Sequence, residues 1–390
     1  MDFLKEANML KQEIIDLRRE FHKNPELGFN VENTKRRVIE YLEKENIEYK
    51  EFSKNAVVGY IRGNGEKTVA LRADMDALPI EEKNEKEYKS KINGCMHACG
   101  HDGHLAILLG AAKILNKAKE DLKGTVVLLF EPAEETTGGA RVMIEDGVLS
   151  NPKVDAIFGL HVDENISVNK IGIKNGVVNA ASNPFTIKII GKGGHGARPQ
   201  NTIDPIYIGS LLITSIQSLI SRELSAAEAG VLSIGTFNSG TAQNIIPETA
   251  EISGIIRTMS SETREYVKKR LKEITQGIVD SFRGKCEIII EESYPCLYND
   301  DKTLDFVYKN GNNILGEKNV ILLKNPSMGV ESFAYFSNER PSAFYFLGCR
   351  NENKGIVHPA HSSYFDIDED CLAIGAAMQS SIAFDFLNKN

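Results

Sequence analysis

The sequence predicts an α/β protein: a mostly parallel sheet with helices on both faces, plus an inserted ferredoxin-like βαββαβ domain. Three observations carry this. Apolar runs of strand length, among them TVALRAD (68–74), TVVLLF (125–130) and DAIFGLHV (155–162), alternate with helical segments, and such continuous apolar character marks strands covered on both faces. Between residues 183 and 293 the order becomes β-α-β-β-α-β, a compact unit of known type, after which the first pattern resumes. A chain of 390 residues suffices for two domains with separate cores. The expected organisation is a discontinuous α/β domain, 1–182 and 294–390, with a second domain, 183–293, inserted into it.

Each element follows from local pattern. Phe3, Leu4, Leu10, Ile14, Leu17 and Phe21 recur at helical spacing, so residues 3–21 read as one amphipathic helix, ended by Asn24-Pro25 and Gly28. A helix over about 31–45 and a strand at 56–61 precede the strand 68–74. A long helix runs from about Gly103 to Asn116, with Asp102 as its N-cap. A short helix near 140–146 separates the strands 125–130 and 155–162. In the insert, FTIKIIG, 231–237, 248–258 and 285–293 read as strands, with helices at 204–220 and 260–282. A helix near 300–315, a strand at 342–348 and a helix near 368–387 complete the chain.

Composition narrows the partners. The net charge of -8 argues against nucleic acid and anionic membrane, both of which reward a basic face. The N-terminal segment carries charges every few residues and lacks a signal-peptide apolar core, and no run reaches membrane-spanning length. Six scattered cysteines in a large chain read as free thiols, so a cytoplasmic protein is expected.

Chemistry gathers at the strand ends, where ligands bind in open α/β sheets. One strand runs into Asp74 and Asp76, a second into Glu131, Glu134 and Glu135, a third into His161. Acids at one strand end are ordinary loop residues; three apolar strands ending alike favour a common site. CMHACGHDGH (95–104) packs two cysteines and three histidines into ten residues, donors suited to zinc or another late first-row metal. A zinc knuckle would need a second cysteine pair nearby, and none exists. A Cys99/His101 nucleophile pair remains a rival that needs no metal, and packed side chains are a third reading. Glu134 and Glu135 offer one carboxylate for a metal and one for protons, or else a solvated acidic loop. His195 sits in the Gly-rich loop GKGGHGARP, and Arg257 interrupts the apolar strand ISGIIRT, where a guanidinium fork suits a substrate carboxylate. An exposed hairpin histidine and a surface arginine are the plainer alternatives.

HACGHD (97–102), EPAEE (131–135), GLH (159–161), GGHGA (193–197), NIIP (244–247), VHPAHS (357–362) and the opening RREFHKNPELGF (18–29) together resemble the aminoacylase/carboxypeptidase family of dinuclear metallo-amidohydrolases, and within it the N-acyl-amino-acid amidohydrolase branch that includes hippurate and auxin-conjugate hydrolases. The resemblance covers nearly the whole chain, in order. It implies a catalytic domain binding two divalent ions, zinc or manganese foremost and nickel or cobalt also compatible, with an inserted lid that forms a homodimer. It implies that Cys99 bridges the ions, that His101 and His161 complete one, and that Glu135 and His361 complete the other. Glu134 would be the general base for a metal-activated water, with Asp76 supporting the ligands. His195 would stabilise the oxyanion in the partner subunit's site, and Asn244 and Arg257 would bind the carboxylate of a small N-acyl amino acid. A dipeptidase or carboxypeptidase with the same machinery is the alternative, and a metal-bound relict without activity is the non-enzyme reading. Three departures stand out: Asp74 where the wider family has a metal-binding histidine, Gln200 after Pro199 in the lid motif, and Glu331-Ser332-Phe333 for Glu-Asp-Phe.

Overall fold

The computed structural model describes residues 1–389. The chain divides into two compact units. The first comprises Met1–Val178, Tyr298–Pro326 and Glu331–Asn390, and the second comprises Asn179–Leu297 with Ser327–Val330. The second unit is thus wider than 183–293, because its first strand begins at Ala181 and the short stretch 327–330 is part of it.

The first unit is built on an eight-stranded sheet in the order 48–51, 57–62, 124–131, 67–74, 156–167, 342–350, 171–173, 320–322. The central strands 124–131, 67–74, 156–167 and 342–350 are mutually parallel, and antiparallel strands flank them. Helices lie on both faces, as one strand shows. Phe158 packs on Phe306 and Phe386, while the next residue, Gly159, faces Phe333 so closely that a Cβ there would come within 2.7 Å of the Phe333 ring. Phe306 belongs to the helix Asp301–Leu315, Phe386 to Asp370–Asn388 and Phe333 to Phe333–Glu339.

Two expectations for this unit need correction. The N-terminal segment is two helices, Phe3–Met9 and Lys11–Lys23, and Leu10 is the residue between them. The periodic pattern is continuous across that break, so it was invisible to spacing alone. The long helix spans His101–Lys117 and its N-cap is Gly100, with φ 87°. Asp102 lies inside the first turn, where its carboxylate is drawn to Arg18 and His22 rather than to the helix end. Three short strands of the large sheet, 48–51, 171–173 and 320–322, were not expected; three or four residues are too few to show a period.

The second unit has a four-stranded antiparallel sheet in the order 230–239, 249–258, 181–190, 285–290. Its helices are Pro205–Ile216, shorter than the expected 204–220, and Ser261–Ser281. Asp204 and Ser260 cap them, each side chain accepting backbone N–H groups of the first turn. Ile187, Ile189, Leu212, Ile252 and Leu271 fill a separate core between sheet and helices.

No helix among the described residues is long and apolar enough to cross a membrane.

Leu71 is fully buried at the centre of the large sheet. Leu71→Ala is expected to cost about 2–5 kcal/mol, read as a lower urea midpoint with an unchanged slope.

Candidate metal centre

The three strands with acidic or histidine ends are neighbours, 124–131 beside 67–74 beside 156–167, so their C-terminal ends share one edge of the sheet. At that edge the CMHACGHDGH segment turns into the helix His101–Lys117. The turn needs glycine at position 100 twice over. Its φ lies in the left-handed region, and a Cβ would meet Val162 Cγ2 at 2.3 Å.

The structure brings Cys99, His101, Glu134, Glu135, His161 and His361 together. Their candidate donor atoms form overlapping sets whose members lie within 4.8 Å of one another: Cys99–His101–His161, Cys99–Glu135–His361 and His101–Glu134–Glu135. Cys99 belongs to the first two. Its Sγ is 3.3 Å from His161 Nε2, and His361 Nε2 is 3.4 Å from Glu135 Oε1.

Backbone carbonyls set the histidine tautomers. His101 Nδ1 donates to the Asp76 carbonyl at 2.8 Å, and His161 Nδ1 donates to the Val162 carbonyl at 2.6 Å. With Nδ1 engaged in this way, Nε2 is the nitrogen of each ring left to bind a metal, the arrangement metal-ligating histidines adopt. His101 Nε2 and Glu135 Oε1 are buried and make no hydrogen bond among the described residues. Buried polar atoms rarely go unpaired, and here they belong to one cluster. The donors are a thiol, imidazoles and a carboxylate, a set that fits a late first-row divalent ion.

The donor atoms of a fourth set, Asp74–His101–His104, lie equally close together. His104 is already occupied at both nitrogens. Nδ1 donates to Asp74 Oδ1 at 2.6 Å, and Nε2 accepts the Val162 N–H at 2.9 Å. Burial lowers its pKa to about 4, which keeps this neutral tautomer. Asp74 in turn accepts Arg72 Nη1 at 2.6 Å. Asp74 thus serves a buried ion pair, although its Oδ2 lies 3.7 Å from His101 Nε2. The remaining histidine of the segment, His97, is buried with its pKa pushed down to about 3 by that burial, and packs as a neutral ring.

Asp76 holds the acidic loop. Its two carboxylate oxygens accept the N–H groups of Glu134 at 2.9 Å and of Glu135 at 3.1 Å. The preceding Ala133 has φ 58°, a conformation a non-glycine side chain resists and its surroundings must impose. Glu134 is buried, and its Oε1 accepts the Ser332 N–H at 3.1 Å. Burial first, then Glu331 and Glu135, pushes its pKa well up. For Glu135 burial acts in the same direction, but His361 and His101 outweigh it and the pKa falls.

Sequence reasoning missed the group beneath this loop. Arg72 is fully buried and reaches Asp74, Glu131 at 2.6 Å and Glu331 at 3.1 Å. Ser332 ties Glu131 to the Glu134 contact, its hydroxyl donating to Glu131 and its N–H to Glu134. The only signal was an arginine inside the apolar run TVALRAD.

In the second unit, His195 pairs with Ile245 across a two-stranded ribbon, and the Asn244 carbonyl accepts the Gly196 N–H at 2.8 Å, so these two residues are neighbours. His195 is exposed, and its Nδ1 accepts the Ala197 N–H at 3.0 Å, which leaves the proton of the neutral ring on Nε2. Arg257 is half-buried in the strand Thr249–Thr258, and its Nη1 makes no hydrogen bond among the described residues.

Residues 70–385 match the family described as peptidase family M20/M25/M40. The chain is 42% identical over 382 residues to thermostable carboxypeptidase 2 of Saccharolobus solfataricus, covering 96% of each. It is 39% identical to the hippurate hydrolase of Campylobacter jejuni, covering 99% of this chain and 100% of that one. Among solved structures, the YXEP protein of Bacillus subtilis, described as a dinuclear metal binding peptidase from the M20 family, superposes with a TM-score of 0.86 at 32% identity, over 98% of this chain and 100% of that one.

His104→Leu would strand the Val162 N–H and remove a partner from buried Asp74. The expected cost is about 2–4 kcal/mol by denaturant titration, with bound metal per subunit unchanged.

Proposed function

Because this chain belongs to peptidase family M20/M25/M40 and is a hydrolase of amide bonds, we propose that it cleaves N-acyl amino acids of the N-acetyl or N-benzoyl type in a two-metal site, with Glu134 as general base. The observation that carries this reading is the pair of donor sets sharing Cys99, beside a carboxylate, Glu134, that belongs to neither. Cys99, His101 and His161 would hold one ion, and Cys99, Glu135 and His361 the other. Zinc suits these donors first, nickel and cobalt are compatible with them, and manganese is retained from the resemblance to the amidohydrolase branch. Bound there, the ions would supply Lewis acidity toward water and the scissile carbonyl.

The chain's own residues do the rest. Glu134, fixed by the Ser332 N–H and by Asp76 through its backbone, takes a proton from the attacking water and delivers it to the leaving nitrogen. Asp76 keeps both neighbouring acids in place. His195, with its Nε2–H as donor, is assigned to the oxyanion in the partner subunit of a homodimer formed through the second unit. Asn244 and Arg257 are assigned to the substrate carboxylate; the unpartnered Arg257 Nη1 supports this. Six free cysteines favour a reducing compartment, and we place the enzyme in the cytoplasm.

The thiol-nucleophile rival fares poorly. A nucleophilic cysteine needs a lowered pKa, whereas burial and then Glu135 push the Cys99 thiol well up when no metal shares its site. Cleavage of dipeptides is the second substrate reading, favoured by the similarity to a carboxypeptidase.

The first test is turnover of a panel of N-acetyl and N-benzoyl amino acids and dipeptides by chelator-stripped protein, with and without added zinc, manganese or cobalt. Metal-dependent cleavage with N-acyl amino acids ahead of dipeptides is expected. Turnover that survives stripping and ends on thiol alkylation would overturn the mechanism. Glu134→Gln should lower kcat by about 10²–10⁴ while metal content measured by elemental analysis stays at the wild-type level. Loss of metal in that variant would reassign Glu134 as a ligand.

A further inference from the structure

The opening motif RREFHKNPELGF supplies a charged cluster that the reaction does not use. Arg18 and His22 lie one turn apart in the helix Lys11–Lys23, and both are buried. Arg18 Nε donates to Asp102 Oδ2 at 2.7 Å, Nη2 donates to Asp366 Oδ1 at 2.8 Å, and Nη1 reaches Glu369 Oε1 at 3.4 Å. The guanidinium carbon sits 4.7 Å from the Tyr88 ring centroid, and the Tyr88 hydroxyl donates to Asp366 Oδ2 at 2.7 Å. His22 lies between Asp102, 2.8 Å from Nδ1, and Glu82, 3.2 Å from Nε2.

A buried ion cluster is poor evidence for stability, because apolar side chains of equal volume often do as well. The informative question is what this one joins. Asp102 directly follows His101, and Asp366 lies in the same loop as His361, before the helix Asp370–Asn388. One further bond joins the two loops directly, His361 N–H donating to the Ala98 carbonyl at 2.8 Å, and Asn84, in the segment that carries Glu82, donates from Nδ2 to the Phe365 carbonyl at 3.0 Å. His361 itself is exposed and has φ 63°, a left-handed conformation that its surroundings must impose.

We infer that Arg18 is a positioning residue for the metal centre: its guanidinium, forked between Asp102 and Asp366, sets the spacing between the loop carrying Cys99 and His101 and the loop carrying His361. This rests on the ligand assignment proposed above. The fork is essential to it. A lysine is a point charge on a flexible stem and cannot hold two carboxylates in fixed directions. Tyr88 belongs to the same device, because its hydroxyl holds Asp366 Oδ2 while Arg18 holds Oδ1.

The test is metal affinity rather than turnover. Stripped full-length protein is titrated with Co²⁺ against a chelator of known affinity, and the thiolate-to-cobalt charge-transfer band reports the Cys99 bond. Arg18→Met and Arg18→Lys are expected to bind Co²⁺ about 10–100-fold more weakly and to lose band intensity. Asp366→Asn should show the same loss in smaller degree, and Tyr88→Phe the least. Val38→Ala, a core truncation in the helix Glu32–Lys44, is the control for lost stability alone and should bind as the wild type does. Wild-type affinity and an unchanged band in a folded Arg18 variant overturn the inference. If neither Arg18 variant folds, the same result in Asp366→Asn overturns it. A wild type without the band, or a Cys99→Ser variant of full affinity, overturns the ligand assignment and the inference with it.

Discussion

Buried negative charge in excess of buried positive charge is the constraint on which this site depends. Asp74, Asp76, Glu131, Glu134 and Glu331 are all buried at one edge of the large sheet, with Glu135 beside them, and Arg72 is the fully buried guanidinium among them. Arg72 accounts for Asp74, Glu131 and Glu331 by direct contact. Glu134 and Glu135 are left facing imidazoles and a thiol. Burying a carboxylate without compensation costs several kcal/mol, a cost that protonation relieves at Glu134 and that a bound cation would relieve at Glu135. The divalent ions proposed for Cys99, His101, His161, Glu135 and His361 would supply that charge, and His101 Nε2, buried without a hydrogen bond among the described residues, is open to one of them.

That balance would be of little use if the donors could drift. Short contacts from the backbone outward prevent it. The Asp76 carbonyl fixes the His101 ring while the Asp76 carboxylate fixes the backbone of Glu134 and Glu135. One residue thereby couples a proposed ligand from the helix start to the proposed base and a proposed ligand of the acidic loop. Ala133 and His361, both with positive φ, flank this arrangement, and their strain is borne by the contacts around them.

Much of this was legible in the chain. Continuous apolar strands alternating with helices named the sheet, and a cluster of cysteine and histidine beside strand-end acids named the centre. What stayed hidden has a common cause. Arg72 and Arg18 lie in an apolar strand and on an amphipathic helix, where an arginine reads as a surface residue, and their partners are distant in sequence: Glu331 for one, Asp366 for the other. Asp102 was read as a cap because local pattern knows only local partners, whereas Arg18 lies 84 residues away. His104 and His101 share a segment and a residue type, and only the contacts at both nitrogens of His104 separate a structural ring from a donor.

The adjacent acids Glu134 and Glu135 carry the last step of this logic. They are chemically identical and consecutive, yet the fold gives them opposite tendencies. Glu134 is turned among burial, Glu331 and Glu135, all of which favour its protonated form. Glu135 faces His361 and His101, which favour its anion despite burial. A carboxylate that holds a proton readily suits transfer from water to a leaving amine, and one that stays ionised suits a cation. Asp76 accepts both N–H groups and so fixes the backbone from which the two successive side chains reach different surroundings. The division of labour proposed for these two acids, base and ligand, thus has its counterpart in the backbone of the loop.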